Sequence, residues 1–239
     1  MKTKTAAVVL AMTIGLVGCK ASTGGNVGKG SFRTETAENA VAYTVNRVAL
    51  LDAVNTSGDT DGDEMVEYLV RALHASGKYQ FASAAEFARD AARAGVEADH
   101  DRLAQTWKQR RTVEPRLAEG VLTATSYDAL LALEVTHWEE LQIQATQEGS
   151  SSTTVGIRVR MYAADGTLLW TGSDRRTVDS APYLPEFNQR ATATGQIRTT
   201  SSAAVPEPPR VETVAPLVAE ELAAAMPVIR PDEAAPEDE

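Results

Sequence analysis

Cysteine is almost absent from this chain of 239 residues, in which Cys19 is the single thiol. One cysteine cannot form an internal disulfide, so the fold must be held together by an apolar core. Hydrophobic residues make up 43% of the chain, which suffices for one domain of about 150–180 residues. The composition therefore predicts a single packed domain with flexible ends.

Positive charge is also scarce, since 23 Lys and Arg residues stand against 33 Asp and Glu for a net charge of −10. No basic stripe is visible along the sequence. Proteins that bind nucleic acid or anionic lipid through charge need such a stripe. We therefore expect no nucleic-acid partner, and any attachment to a membrane must rest on acyl chains.

Metal-binding patterns are missing as well. The acidic run 59–63 suggests a calcium loop, but an EF-hand needs Gly at position six and Glu at position twelve. Here Gly62 is fourth and Val70 is twelfth, so acidic residues beside a helix N-terminus explain the run better. No two of the 3 histidines have the i, i+4 spacing of zinc ligands; they are His74, His100 and His137. We expect no metal and no cofactor.

Catalytic signatures are lacking too. No Gly-x-Ser-x-Gly elbow occurs, and the early glycines precede any strand and so form no phosphate loop. Glu139 and Glu140 are adjacent on a predicted strand and face opposite ways, so they cannot share one substrate. We expect a protein that is not an enzyme, while a site assembled from distant Ser, His and Asp residues stays an open alternative.

An export signal occupies the amino end. Lys2 and Lys4 precede an apolar run over residues 6–17, which is shorter than the roughly 20 residues that span a bilayer. The run ends in Gly18-Cys19, which resembles the lipobox of bacterial lipoproteins. The resemblance implies cleavage between these two residues and acylation, including palmitate, of Cys19. An ordinary secretory peptide is the alternative.

The same signal predicts the location and the boundaries of the domain. Polar residues from Lys20 onward stop the apolar run, and Lys20 replaces the Asp of an inner-membrane retention signal. We expect an anchor in the outer membrane with the domain on its periplasmic face. The predicted parts are a signal peptide (1–18), a lipidated Cys with a flexible tether (19–40), an α/β domain (41–228) and a disordered acidic tail (229–239).

Apolar periodicity predicts alternating strands and helices in that domain. Strands are expected over residues 45–54 and 79–83, with helices over 63–76, from Ser83 to 94, 101–111 and 115–124. Gly77 suits a helix C-cap, and Ser83 with Glu86 suits a capping box. A three-strand antiparallel meander follows over 127–172, with Asp165-Gly166 as a hairpin turn. A long polar loop then leads to a last helix over 214–225. The fold class is an α/β sandwich with a mixed sheet.

The tryptophans are the aromatic residues of most interest. Trp138 and Trp170 lie on neighbouring predicted strands, and Trp107 lies on an amphipathic helix. Each fills the core or, alternatively, anchors a partner at an interface. Trp138 and Trp170 are our candidate partner-binding residues.

Several segments resemble a periplasmic α/β group that includes CsgG, LpoB and the amino-terminal domain of TolB. They are 48–52 (VALLD), 64–73, 76–81 (SGKYQF), 127–135 and the hairpin 155–172, which ends in Leu-Leu-Trp-Thr-Gly. The resemblance implies the fold and transfers no functional residue. It suggests an anchored accessory protein of the LpoB kind or a subunit of a CsgG-like secretion channel. The alternating row 141–145 is too short for the 9–11 residues of a membrane strand, which argues against the channel.

Together these features predict a non-enzymatic envelope lipoprotein. Its tethered domain would bind a protein partner, or a second copy of itself, in an envelope assembly, export or cell-wall synthesis system. An oligomeric CsgG-like outer-membrane channel and an enzyme acting on wall polymer are the alternatives.

Overall fold

A computed structural model describes residues 30–58, 63–145, 147–183, 187–191, 197–201 and 204–230. The predicted signal peptide with Gly18 and Cys19, residues 59–62 of the acidic run and the tail beyond residue 230 lie outside these ranges. No helix among the described residues combines the length and the hydropathy that crossing a membrane requires.

The described chain contains strands and helices in alternation. The strands are β1 (Gly30–Thr36), β2 (Arg47–Leu50), β3 (Val54–Asn55), β4 (Gln80–Ala82), β5 (Ala129–Leu141), β6 (Ser152–Ala163), β7 (Leu168–Asp179), β8 (Phe187–Ala191) and β9 (Ile197–Ser201). The helices are α1 (Glu64–Ser76), α2 (Ala84–Arg93), α3 (Glu97–Arg110), α4 (Pro115–Thr125) and α5 (Val211–Ala225).

One mixed sheet organises the fold, in the order β1-β7-β6-β5-β2-β4, with β3 also paired to β5. Strand β2 runs parallel to β4 and β5, whereas β5, β6, β7 and β1 are mutually antiparallel. This arrangement confirms the predicted α/β sandwich and its meander. Strands β8 and β9 form a separate two-stranded sheet.

The first core lies between the sheet and helices α1 and α5. Buried side chains of α1 and α5 meet the row of apolar residues on β6 that alternation predicts to face inward; that row is Val155, Ile157, Val159 and Met161. Lys78 joins the two helices at their ends, because its ammonium donates to the carbonyl oxygens of Ala223, Ala224 and Met226. Such a cation at a helix C-terminus satisfies carbonyl groups that lack helical partners.

The second core lies on the opposite face of the sheet, under helices α2, α3 and α4. Its helical layer packs against β2, β4, β5 and the Tyr162 end of β6, and leaves the rest of β6, with β7 and β1, without a helical cover on that side. Leu130 and Leu131 are adjacent on β5 and fully buried, one in each core. The sheet is therefore covered on both faces at its centre, on one face at β7, and on neither face at β1.

Local signals in the sequence are confirmed at the helix ends. Gly77 closes α1 with φ 63°, a left-handed conformation that glycine adopts without steric cost. Ser83 and Glu86 form both hydrogen bonds of a capping box at the start of α2. Pro115 is the first residue of α4, where its missing N–H costs nothing.

Three boundaries differ from the prediction. The expected tether over 19–40 already contains strand β1, and the expected polar loop after Gly172 continues as strand to Asp179 and includes β8 and β9. Strand β1 and the end of β7 have an exposed face or two exposed faces, so no apolar alternation marks them. At the other end, Ile229 is buried and bonds Val45 and the Tyr79 hydroxyl, so the packed domain extends past residue 228.

Candidate functional site: the open face of the sheet

The candidate site is the uncovered side of β1, β7, β6 and the adjoining part of β5, which we call the open face. On β6, buried apolar residues alternate with the exposed Arg158 and the half-buried Arg160. Antiparallel sheets commonly bury one face and expose the other to water in this way. Every residue of β1 is exposed, because this edge strand has helical cover on neither side.

Strand register aligns the open-face residues in three rows across four strands. The central row is Arg33, Ser173, Arg158 and Glu134; beside it lie the rows Ser31, Arg175, Gly156, His137 and Glu35, Thr171, Arg160, Ala132. Paired residues in an antiparallel sheet lie about 4.5–5.5 Å apart, so each row forms a line of neighbouring side chains. Positions far apart in sequence thereby meet on one surface.

Arginine side chains are frequent in these three rows. Arg33, Arg158 and Arg175 are exposed or half-buried, and Arg160 lies beside them. Glu134 is nearly buried and accepts a 3.0 Å hydrogen bond from Arg158. Glu134 also lies 3.7 Å from Nε of Arg111 on the neighbouring helix cap. Within the three rows, Glu134 and the exposed Glu35 stand against four arginines, so two guanidinium groups remain in excess, and Glu139 lies in the next row beside His137.

Arg160 is held in a fixed position at the edge of the open face. Its guanidinium donates a 2.9 Å hydrogen bond to the carbonyl oxygen of Arg111. It also lies 5.8 Å from the centre of the Trp107 ring, within the range of a cation–π contact. The charge of this residue is therefore positioned by the second core.

A hollow of about 150 Å³ lies in the row of Gly156 and His137. A Cβ atom on Gly156 would come within 2.8 Å of Thr136 Oγ1 and 2.9 Å of His137 Nδ1, so a larger residue would force these side chains to move. Burial, and next the charge of Arg175, lower the pKa of His137. The ring is therefore neutral at pH 7 and offers one donor and one acceptor. Hydroxyls, a neutral imidazole and nearby arginines can together bind a carboxylate by hydrogen bonding.

The predicted partner-binding tryptophans lie elsewhere. Trp138 is 5% exposed and Trp170 1% exposed, and both belong to the first core. Inward-facing positions on β5 and β7 place these large rings under α5, so they are core residues and not surface anchors. Trp107 fills the second core in the same way. The structure describes neither Gly18 nor Cys19.

The histidines and the carboxylate pair remain apart. His74 lies on α1, His100 on α3 and His137 on β5. Among the described residues, no three His, Cys, Asp or Glu side chains gather where they could hold a metal ion. Glu139 pairs with Thr154 and Glu140 with Thr153, which places the two carboxylates on opposite faces as alternation predicts.

The expectation that the chain has no basic stripe is wrong for the folded protein. The open-face arginines come from β1, β6 and β7, and the sheet brings them together. The alternation of Arg158 and Arg160 on β6 is the one local signal that the sequence offers. Pairing with β1 is a long-range contact that no local pattern reports.

Two other concave surfaces have a less distinctive chemistry. A largely apolar groove of about 660 Å³ separates α1 from α5 near Tyr68 and Pro216. A polar hollow of about 340 Å³ contains Arg47, Asp90 and Tyr127. In that hollow the Tyr127 hydroxyl donates a 2.7 Å hydrogen bond to Asp90, and burial with this bond raises the pKa of Tyr127 to about 12. Asp90 also forms an ion pair with Arg93 there.

No family model matches the chain, and no curated protein is significantly similar to it in sequence. Among solved structures, the PelC dodecamer from Paraburkholderia phytofirmans has 12% identity over 81% of this chain and 95% of that chain, with a TM-score of 0.43. Lipoprotein GNA1162 from Neisseria meningitidis has 22% identity over 58% and 87%, with a TM-score of 0.38. The LpoB C-terminal domain from Salmonella enterica has 14% identity over 58% and 85%, with a TM-score of 0.37. TM-scores below 0.5 carry no conclusion about function.

Proposed function

We propose that this protein is a lipid-anchored envelope protein that binds an acidic segment of a partner protein on its open face and catalyses no reaction. The observation that supports the proposal is the gathering of Arg33, Arg158, Arg160 and Arg175 on one exposed surface of a chain with a net charge of −10. The negative remainder of the surface repels an acidic partner and thereby directs it to the open face.

The chemistry of the open face suits carboxylates. A guanidinium group presents paired N–H donors that match the two oxygens of Asp or Glu. Exposed ion pairs are weak singly and are screened by salt, so several of them must act together. The row spacing offers such repetition to an extended acidic segment that lies across the strands.

The proposed anchor places the open face close to a membrane. Cys19 is the proposed lipidation site, Gly18 precedes the proposed cleavage point, and β1 begins at Gly30. Eleven residues reach at most about 40 Å at 3.3–3.6 Å per residue. We propose the outer membrane and its periplasmic side, where the partner belongs to an assembly, export or wall-synthesis system.

Radiolabelled palmitate tests the anchor in cells. The wild-type chain is expected to take up label and to sediment with membranes, whereas Cys19→Ser loses the label and appears in the soluble fraction. Ser22→Ala, three residues downstream, is the matched control and behaves as wild type. A Cys19→Ser chain that still carries palmitate contradicts the proposal of lipidation at this thiol.

Charge reversal on the open face tests the partner chemistry. The probe is a twelve-residue glutamate peptide, and the protein is the full lipoprotein in a nonionic detergent. Arg158→Glu with Arg175→Glu is expected to weaken binding at least tenfold at low salt, and rising salt weakens wild-type binding. Arg116→Glu with Arg102→Glu, on the exposed sides of α4 and α3, is the control for the same change in net charge.

Two results contradict the proposal. Binding that is unchanged in the Arg158→Glu, Arg175→Glu variant removes the open face from the interaction. Binding of an anionic polysaccharide in place of the glutamate peptide replaces the protein partner with a wall or surface polymer.

The secretion-channel alternative gains no support from the described chain. The alternating row considered for a membrane hairpin, residues 141–145, lies almost wholly outside strand β5, which ends at Leu141.

A further inference from the structure

The free edge of β1 is a second surface with a distinct chemistry. Strand β1 lies at one end of the sheet and pairs with β7 along its whole length, from Gly30 opposite Arg176 to Thr36 opposite Trp170. Among the described residues no strand pairs with its other edge. The strand has seven residues and contains neither proline nor a bulge.

An unprotected edge of this kind is a template for another strand. Its outward N–H and C=O groups have no partner among the described strands, and natural proteins usually block such edges with proline, bulges or short strands. Here only Arg33 and Glu35 bring charge to the edge. An incoming strand must therefore place opposite charges against Arg33 and Glu35.

The sequence of β1 is complementary to itself in one antiparallel register. When Thr34 lies opposite Thr34 of a second copy, Arg33 lies opposite Glu35 and Glu35 lies opposite Arg33. Both pairs fall on the open-face side, because Arg33 aligns with Ser173 and Glu35 with Thr171. Opposite charges directly across an antiparallel pair are favourable, and like charges are unfavourable.

Two neighbouring registers also keep both open faces on the same side of the sheet. In each of them, charges of the same sign lie opposite each other and repel. A shift in one direction centres the pair on Arg33 and places two guanidinium groups opposite each other. A shift in the other direction centres it on Glu35 and places two carboxylates opposite each other. The charges of β1 therefore select one register of self-pairing.

The opposite side of the strand agrees with this register. Phe32 is 39% exposed there, and the pairing brings it against Thr36 of the second copy. An aromatic ring beside a β-branched residue is a favourable cross-strand pair. The contact also covers one of the exposed large apolar side chains of the described chain.

We infer that two copies of this chain pair through β1, antiparallel and centred on Thr34, into one sheet that continues across the dimer. The interface has two-fold symmetry, in which the same strand meets itself. The pairing joins the two open faces into one continuous surface. The inference is independent of the proposed function, because the edge and its charges exist whether or not an acidic partner binds.

A charge swap in the full lipoprotein, extracted in nonionic detergent, tests the interface by analytical ultracentrifugation. Glu35→Arg places arginine against arginine and is expected to raise the dimer dissociation constant at least tenfold. Adding Arg33→Glu to the same chain restores opposite charges and is expected to return the constant to within about threefold of wild type. A tenfold change in the dimer dissociation constant corresponds to about 1.4 kcal/mol of association free energy.

A cysteine introduced at the centre of the strand tests the register. Thr34→Cys is expected to give a disulfide-linked dimer on mild oxidation, because the two Cβ atoms lie opposite each other. Ser31→Cys, on the same strand, stays unlinked, since the two copies of that position lie about 20 Å apart at 3.3–3.4 Å per residue. The wild-type protein, oxidised in the same way, is the control for disulfide formation through Cys19.

The results that overturn the inference are distinct. The dimer is ruled out if the wild-type lipoprotein stays monomeric up to about 100 µM, because any dissociation constant would then be too weak for a stable dimer. A dimer that both charge variants leave unchanged uses another surface. A Ser31→Cys dimer without a Thr34→Cys dimer assigns a different register, and a β1 edge occupied by an added glutamate peptide assigns the edge to a foreign strand.

Discussion

At the scale of single residues, Asp174 is the charged group whose position is least expected from its chemistry. It is 2% exposed and lies on the first-core side of β7, opposite Phe32 and Ile157. Burial raises its pKa to about 6, although Arg176, with Nη2 at 3.6 Å from its Oδ2, opposes the rise, and Glu221 adds to it. A buried carboxylate with one partial partner opposes folding when it is ionised.

This residue predicts a pH dependence of stability. The folded-state pKa is above the ordinary 3.8, so the native state holds this proton more tightly than the unfolded chain does. The contribution of Asp174 is fully present below pH about 4 and is lost as the pH rises through about 6. Asp174→Asn is expected to raise the free energy of unfolding at pH 7.5 by up to about 3 kcal/mol, with no gain near pH 4, measured by urea denaturation.

Asp179→Asn is the control, because this carboxylate is exposed at the end of the same strand. Its effect on the free energy of unfolding is expected to be small at both pH values. A loss of stability in Asp174→Asn at pH 7.5 contradicts the account and means that the charged pair with Arg176 outweighs the burial of the carboxylate.

At the scale of secondary-structure elements, helix α2 shows how local chemistry defines a boundary. The Ser83 hydroxyl accepts from the Glu86 backbone N–H, and the Glu86 carboxylate accepts from the Ser83 backbone N–H at 2.9 Å and from its hydroxyl at 2.8 Å. These bonds lower the pKa of Glu86. The N–H groups of the first turn thereby gain partners that the helix cannot supply.

Removal of the cap is expected to destabilise the protein. Ser83→Ala leaves the Glu86 backbone N–H without its acceptor, and it should lower the free energy of unfolding by about 1 kcal/mol in urea denaturation. NMR titration should show the pKa of Glu86 rising towards its ordinary value. Thr106→Ala is the matched control, because its hydroxyl only donates back to the Arg102 carbonyl within α3 and its loss should be nearly neutral. Equal effects in both variants contradict the capping role.

At the scale of the whole molecule, one sheet supports two separate cores. Leu130 packs with α2, α3 and α4, whereas the adjacent Leu131 packs with α1 and α5. Because β5 carries both residues, loss of packing on either face disrupts the strand that both cores share. We therefore expect the two layers to unfold together.

Large-to-small substitutions on both faces test this cooperativity. Leu130→Ala and Leu131→Ala are each expected to cost about 2–5 kcal/mol, and each should shift one transition that circular dichroism and tryptophan fluorescence report together. Leu141→Ala, on the same strand but 64% exposed, should change stability little. Two separate transitions in either buried variant show that the cores unfold independently.

Local patterns predicted most of the elements and little of the site. Alternation on β6 and helical spacing on α1 have short periods that the sequence displays directly, so their elements follow from it. Strand β1 and the end of β7 were missed because a strand exposed to water on one or both faces needs no apolar alternation. Trp138 and Trp170 lie on strands as predicted, but the expectation that these strands are neighbours is wrong, because β6 lies between β5 and β7. The face that each ring occupies depends on which side the helices cover.

The sequence by itself determined the elements that local chemistry stabilises, namely the capped helices, the Asp165-Gly166 hairpin and the apolar strands, together with the overall negative charge. Tertiary structure alone decided the order of the strands, the burial of Trp138 and Trp170 and the gathering of arginines on the open face. The physical reason is separation along the chain. Pairing of β1 with β7 joins residues more than a hundred positions apart, and only the complete sheet brings their charges together.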